Sequence, residues 1–457
     1  MIKNKLQLIN PPMDKGYSHS LRTGVYPPLN LGVLASYIKK SVPTYQVELF
    51  DGEIQSLETI LSGINANIVG INCNTLTYKT ALEIAQAAKH KGAKVILGGP
   101  YISVLYEQIL LNRPFIDCVV VGDGEQALKM LLENQPYELI PNLAYRANGK
   151  ILKNNTIKTS MSEMALPDYC NLPLEEYFAN HRERYGHYKP FNSSLAIYSI
   201  KGCEWRDKTH GGCVFCMIPY FGTTYKKPTH VWNEILYYSQ VHGVKSFWEV
   251  SDSFVDNNEW LEEFRDTKPD GLDISFHIYG RASGINTKKA KLLKEIGVFE
   301  VFIGAESGDN QILRNTRKGI TTNTTRKAIE ALRDEGINVI VSFVLGLPGE
   351  TRETLAKTVD FAKELSHYGN IYETSTSIMF PMPGSQVFES LMEVEGMKEK
   401  YSSDILDYEQ LKRDWLKYFT KVSFDELEEA LDKITNNFAL NSTFSKPKEQ
   451  VLSALDC

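Results

Sequence analysis

Short apolar runs alternate with amphipathic stretches over the first 150 residues. Lys5–Ile9, Gln46–Phe50, Asn67–Asn72, Val95–Leu97 and Cys118–Val121 are predicted strands, and Leu29–Lys40 and Tyr78–His90 repeat apolar residues at helical spacing. Strand–helix alternation of this kind predicts a parallel, doubly wound sheet. Ligands of such sheets bind beyond the carboxyl ends of the strands. Two Gly-rich turns fall at those ends, Gly98-Gly99-Pro100 and Gly122-Asp123-Gly124-Glu125. Bare backbone there lets a large flat or phosphorylated ligand approach closely. No G-x-G-x-x-G follows a strand, so the nicotinamide fingerprint is absent.

Residues 141–190 read as a connector with a hairpin, Asn142–Arg146 and Gly149–Lys153, followed by an irregular stretch. His181 and His187 in that stretch are expected to be surface or loop groups. Between 191 and 390 six more strands are predicted: Leu195–Ile200, Val244–Val250, Ile274–Tyr279, Glu300–Gly304, Val339–Leu345 and Glu373–Phe380. Helical stretches at Lys288–Ile296, Thr324–Glu335 and Thr351–Leu365 lie between them. Repeated βα units predict a partial (β/α)6 barrel, with its active site at the carboxyl ends of the strands. Residues 391–457 carry two helical patterns, Tyr408–Phe419 and Phe424–Asn436, expected to close the barrel over a substrate. The expected organisation is therefore a Rossmann-like domain at 1–140, a connector at 141–190, a partial barrel at 191–390 and a helical region at 391–457.

The stretch from Lys201 to Cys216 changes this picture from a scaffold to a reaction centre. It reads KGCEWRDKTHGGCVFC, with nine residues between Cys203 and Cys213 and two between Cys213 and Cys216. Iron–sulfur clusters usually take four cysteines, so three suggest one iron kept free for a substrate or cofactor. The alternative is a structural zinc, with Cys203 and His210 completing the CVFC pair. Seven cysteines in 457 residues, three of them clustered, do not form a disulfide framework and fit a reducing cytosol. Cys73, Cys118 and Cys170 are expected to be buried or loop thiols, and Cys457 an inert tail thiol. A net charge of -6 without a basic run argues against nucleic acid. No apolar run approaches the about 20 residues of a membrane span, and the N-terminus reads as a strand rather than a signal peptide. A cytoplasmic protein is expected.

The cysteine loop, WEVSDSF (248–254), FHIYGRA (276–282), VFIGAESGDNQILRNTRKGIT (301–321), GINVIVSFVLGLPGET (336–351) and IMFPMPGS (378–385) together resemble a radical S-adenosylmethionine (SAM) core. PPLNLGVLASYIKK (27–40), ELFDGE (48–53), GINCNTLTYKTALEIA (70–85), GGPYIS (98–103) and VVVGDGEQAL (119–128) resemble the cobalamin-binding domain fused to many such enzymes. The usual family spacing places three residues between the first two cysteines. The extra residues here, around Glu204–Gly212, are expected to bulge outward. The D-x-H-x-x-G motif of cobalamin enzymes is missing: His19 lies in the corresponding loop, at the wrong spacing from Asp14. This implies that no histidine binds cobalt. A cofactor-free, degenerate Rossmann module is the alternative for this domain.

The resemblance implies a [4Fe-4S] cluster, SAM and cobalamin as cofactors. Cys203, Cys213 and Cys216 would hold the cluster. Phe215 would lie near adenine, and Asp252 and Arg281 near the amino-acid part of SAM. Glu306 would take the ribose hydroxyls or the amino group, and Gly346 would line the adenine side. Asn74, Thr75, Leu76, Gly98, Gly99, Pro100, Gly122, Gly124 and Glu125 would surround cobalamin, with the Asn72–Leu76 loop on the lower side of cobalt. The bland alternatives are helix caps for Asp252 and Asp256, an ion pair of Glu306 with Arg314 or Arg317, and a structural Arg281. The implied reaction is methyl transfer to an unactivated carbon of a small metabolite or peptide, with electrons from a donor such as flavodoxin or ferredoxin. A non-methylating radical reaction (rearrangement, cyclisation or aminocarboxypropyl transfer) is the alternative within the family. A zinc- or cobalamin-binding sensor is the alternative outside it.

Overall fold

The computed structural model describes residues 2–14, 23–162, 164–169, 171–186, 193–218, 222–252 and 254–439. His19, Cys170, His187 and Cys457 lie outside the described residues. The chain divides into two compact units, Met1–Asn192 with Ser402–Ile405, and Ser193–Tyr401 with Leu406–Cys457.

In the first unit β1 (Ile2–Asn10), β2 (Gln46–Asp51), β3 (Ala66–Asn72), β4 (Lys94–Gly98) and β5 (Cys118–Val120) run parallel in the order β2-β1-β3-β4-β5. The hairpin β6 (Leu143–Ala147) and β7 (Lys150–Lys153) extends the sheet antiparallel beyond β5. Helices α1 (Leu29–Ser41), α2 (Leu57–Gly63), α3 (Tyr78–His90), α4 (Pro100–Asn112) and α5 (Glu125–Leu132) follow the parallel strands. Val69, Ile71, Val95, Leu97 and Val119 are buried, as strands covered on both faces require. In this strand order the topological switch point lies between β1 and β3.

The stretch expected to be irregular forms α6 (Leu174–Tyr185) instead. His181 is fully buried in it, beside the rings of Tyr26 and Tyr185, so its assignment to the surface is corrected. Tyr177 and Phe178 on the same helix are buried as well. The aromatic spacing therefore marks a packed face, which the surrounding charges obscure in the sequence. Asp404, in the late segment that joins this unit, is buried. It accepts from Tyr78 Oη at 2.7 Å, Arg113 Nε at 2.8 Å and Asn112 Nδ2 at 3.1 Å.

The second unit begins with β8 (Ser194–Ile197) and the short antiparallel pair β9 (Ile200–Lys201) and β10 (Thr224–Tyr225). β11 (Ser246–Glu249), β12 (Ser275–Gly280), β13 (Val298–Glu306), β14 (Asn338–Leu345) and β15 (Ile371–Ile378) follow. Six strands form one parallel sheet in the order β15-β14-β13-β12-β11-β8. The connecting helices are α7 (Glu204–Thr209), α8 (Pro228–His242), α9 (Asn258–Asp266), α10 (Thr287–Ile296), α11 (Asn310–Asn315), α12 (Thr322–Asp334) and α13 (Arg352–Leu365). α14 (Gln386–Met392), α15 (Met397–Lys400), α16 (Tyr408–Phe419) and α17 (Phe424–Ala439) end the unit.

Alternation along the strands gives the sheet two unlike faces. Phe247, Phe276, Ile278, Val301, Ile303 and Val341 are buried on one. Trp248, Tyr279, Phe302 and Ser342 on the other are half-buried, so that face retains open space. The tip of β14 is fastened by Glu350, which accepts from the Gly346 and Leu347 amides. Its other oxygen, Oε1, is buried without a hydrogen-bond partner. Burial pushes this carboxyl up to about 7, against the pull of the two amides. A raised folded pKa means that the folded state binds more protons than the unfolded one, so stability falls as pH rises. The loss begins near the ordinary value of 4.5 and levels off above about 7. Glu350→Gln is expected to flatten the fall in melting temperature across that window, as read by thermal melts at several pH values.

Candidate active site

The cysteine loop leaves β9, and its extra residues are ordered as a helix at the surface with no fully buried residue. Residues Glu204–Thr209 form the short helix α7, which ends in a left-handed His210. Asp207 fixes it by accepting from the amides of Gly222 and Thr223 and from Thr223 Oγ1, each at 2.7 Å. Trp205 folds inward: its Nε1 donates to Arg317 O at 2.9 Å. Its ring fills the space that a Cβ on Gly319 would need, and Gly319 is in the left-handed region at φ +70°. The insertion is anchored by this half-buried aromatic side chain, which lies against Gly319. Beyond it, Val214 N donates to Thr316 O at 3.0 Å and Cys216 N to Cys213 O at 3.0 Å, which sets the Cys213–Cys216 turn.

Cys203 and Cys213 are buried and Cys216 is half-buried. Burial pushes the Cys216 thiol up to about 11, and the nearby Cys213, Cys203 and Asp252 add to the rise. The three sulfurs thus lie within electrostatic reach of one another. Among the described residues no group of three or more His, Cys, Asp or Glu side chains is placed to hold a single ion. The thiolates of a cluster bind separate irons and need no such placement.

Around the thiols the structure gathers Phe215, Asp252, Arg281, Glu306 and a residue that the sequence did not single out, Lys318. Glu306 ends β13 in the left-handed region at φ +61°, a conformation that costs a non-glycine residue roughly 1–3 kcal/mol. It is buried and paired with Lys318 Nζ at 2.5 Å, not with Arg314 or Arg317. Burial acts to lower the Lys318 pKa, but the charges of Glu306 and Cys213 outweigh it and hold the ammonium above its ordinary value. Lys318 also stands 5.9 Å from the Phe215 ring centre. Asp252 is open to solvent on one side, yet packing around its carboxyl pushes it up to about 6. It caps no helix; Asn257 caps α9.

Two of the expected SAM contacts are differently employed. Arg281 directs Nη1 at Cys213 Sγ (3.9 Å), donates Nη2 to Lys318 O (2.5 Å) and lies 4.6 Å from the Trp205 ring centre. Its guanidinium is thus engaged within the protein. Gly346 is buried, and a Cβ there would meet Leu416 at 2.9 Å and Leu427 at 3.1 Å. Trp415 Nε1 donates to its carbonyl at 2.8 Å. The close approach that this glycine permits is made by α16 and α17. These helices sheathe the tip of β14, and α17 packs on β15 and α13. A further residue without a prior assignment, Glu249, is fully buried at the end of β11. It accepts from Ser199 N at 2.8 Å and Ser251 Oγ at 2.6 Å, and so orients the turn that leads into the cysteine loop.

In the first unit the loops at the switch point form a separate open face. Asp14, beyond β1, accepts from the amides of Thr80 (2.8 Å) and Lys79 (3.1 Å), and its own amide donates to Leu76 O at 2.7 Å. Asn74 turns its side chain back to accept from Leu76 N at 2.8 Å. Thr75 is buried, while Leu76 is 39% exposed beside the half-buried Gly98 and Gly99 and the exposed Pro100. Gly99 is needed at φ +119° because the Cys73 carbonyl occupies the place of its Cβ. Gly122 N donates to Ser103 Oγ at 3.0 Å, and Gly124 lies against Leu34. Glu125 is buried and accepts from Thr159 Oγ1 at 3.0 Å, so it faces the connector. An apolar, partly exposed loop beside small residues suits a broad flat ligand.

Residues 197–362 match the Radical SAM superfamily and residues 21–132 match the B12 binding domain. The chain is a B12-binding radical SAM protein. Such a protein uses SAM, a [4Fe-4S] cluster and cobalamin. It is 29% identical over 402 residues to an uncharacterized methyltransferase of Pyrococcus horikoshii, covering 84% of this chain and 82% of that relative. It is 24% identical to the anaerobic magnesium-protoporphyrin IX monomethyl ester cyclase of Rubrivivax gelatinosus, covering 95% of this chain and 78% of that relative. Its fold resembles the radical SAM methyltransferase TsrM from Kitasatospora setae, solved with cobalamin and a [4Fe-4S] cluster. The TM-score is 0.67 at 19% identity, over 86% of this chain and 79% of the other. No helix among the described residues is long and apolar enough to cross a membrane.

Beside the expected residues the structure places Trp205, Glu249 and Lys318, which the sequence did not single out, and in the B12 unit Asp14, which the sequence marked only by its spacing from His19. Lys318 and Trp205 sit among other charged and polar residues of their segments, and nothing local distinguishes them. Glu249 carried a signal, a carboxylate in an otherwise apolar strand end.

Proposed function

We propose that this B12-binding radical SAM protein transfers a methyl group to an unactivated carbon of a small metabolite or peptide. The observation that carries the reading is the presence, in one chain, of a three-thiol loop at the carboxyl ends of an open parallel sheet and a separate B12 unit with an apolar open loop. Cys203, Cys213 and Cys216 are assigned as cluster ligands, with one iron left for SAM. When bound, the cluster supplies the electron that cleaves SAM, and the cobalamin carries the methyl group.

The chain's own residues do the remaining work. Glu249 and Ser251 hold the amides of residues 199 and 200, and with them the start of the cysteine loop. Glu306, steadied by Lys318, and Asp252 present carboxylates for the hydroxyl or amino groups of SAM. Phe215 offers an apolar surface for adenine. Leu76, Gly98 and Pro100 would offer a surface for the corrin. The excess of negative charge favours a substrate other than nucleic acid, and electrons would come from a small protein donor such as flavodoxin or ferredoxin.

Protein purified without oxygen, with its cofactors rebuilt, is expected to release 5′-deoxyadenosine and S-adenosylhomocysteine together during turnover. The similarity to a cyclase sustains the second reading, a radical reaction without methylation. 5′-Deoxyadenosine with no S-adenosylhomocysteine would establish that second reading and exclude methyl transfer.

A further inference from the structure

The insertion between Cys203 and Cys213 does not merely lengthen the loop. Its Trp205 packs into the space above Gly319 and stacks against Arg281, while Lys318 O takes the far side of the guanidinium. Held between ring and carbonyl, Arg281 points Nη1 at Cys213 Sγ. The neighbouring cation, Lys318, is neutralised by Glu306. Among the described residues no carboxylate lies within salt-bridge distance of Arg281, and its Nη1 is the cationic N–H directed at this sulfur. Trp205 and Arg281 also line a cavity of about 360 Å³ with Lys208, Asp256, Asn286 and Lys289.

Hydrogen bonds and net charge at the sulfurs are among the features that set an iron–sulfur potential. Reduction adds one negative charge to a cluster, and a cation with an N–H aimed at a ligand sulfur stabilises the reduced form. We propose that Arg281, positioned by Trp205 of the inserted helix, raises the reduction potential of the cluster at Cys203, Cys213 and Cys216. This inference rests on the cluster assignment made above. Arg281 is a positioning and tuning residue rather than one that touches the substrate, and α7 contributes the ring against which it lies. The external donor supplies the electron; no bond at Arg281 forms or breaks.

The test is the midpoint potential of the rebuilt cluster, read by EPR during titration with a chemical reductant, in wild type and in R281M, R281K, W205A and W205F. Iron and sulfide are counted in each. R281M is expected to shift the midpoint to a more negative value. R281K keeps the charge but cannot both stack on Trp205 and bridge two acceptors, so it should fall between R281M and wild type. W205A should shift the midpoint in the same direction by less, and W205F should restore most of the difference. If R281M fails to hold iron, R281K and W205A carry the same comparison. Midpoints equal to wild type in cluster-loaded variants would overturn the inference and leave the proposed function standing. A wild-type protein that takes up no cluster would overturn both.

Discussion

Replacing Cys203, Cys213 or Cys216 with alanine is expected to remove the cluster and reduce SAM cleavage to background. Each thiolate is assigned to a different iron, so none substitutes for another. The measurements are iron and acid-labile sulfide per chain, the visible absorption of the anaerobically rebuilt protein, and 5′-deoxyadenosine release. The fold should survive, because the loop is also fixed by Asp207, by Trp205 against Gly319, and by the Val214–Thr316 backbone bond. Cys73 and Cys118, both buried in the first unit, provide the control. Their alanine variants should keep full iron content. Iron and absorption unchanged in the Cys203, Cys213 and Cys216 variants would refute the cluster assignment.

Glu306→Ala is expected to produce the second largest effect, on stability and on cofactor binding together. The change leaves the buried Lys318 ammonium without its partner. Breaking a buried pair from one side costs roughly 3–5 kcal/mol, and alanine, which keeps a Cβ, brings no relief at the left-handed backbone. Glu306→Ala combined with Lys318→Met should recover much of that stability, since an apolar replacement of the whole pair avoids the stranded charge. The double variant should not recover SAM affinity. A lost hydrogen bond from a charged group is worth roughly 1.5–3 kcal/mol, which predicts about ten- to a hundredfold weaker binding by equilibrium titration with SAM. If the double variant regains both stability and affinity, Glu306 is a structural ion pair and not a SAM contact.

The contrast between these two cases shows what can be read without coordinates. The cysteines are legible because their chemistry is rare and their spacing is local. The strands of both sheets are legible for a similar reason. Val95–Leu97 and Val339–Leu345 are apolar runs whose length and flanking turns specify strands, and the structure extends them by only one or two residues to Lys94–Gly98 and Asn338–Leu345. The Asn72–Leu76 loop could be singled out from the sequence, but the hydrogen bonds by which Asp14 and Asn74 hold Leu76 arise only from the tertiary structure.

The amino-acid sequence by itself determined the order of the strands, the class of both sheets and the three thiols, because periodicity and residue chemistry act within a few positions along the chain. Tertiary structure alone decided that Glu306 meets Lys318, that Arg281 turns to Cys213, that Gly346 is covered by Trp415 and Leu416, and that Trp205 of the insertion packs against Gly319 and Arg281. Each of these pairings joins residues from different strand ends or loops. Strand register, the left-handed backbone at Glu306 and Gly319, and the space left by a missing Cβ select the partner. Those quantities are set by the packed sheet as a whole and are absent from any short window of sequence.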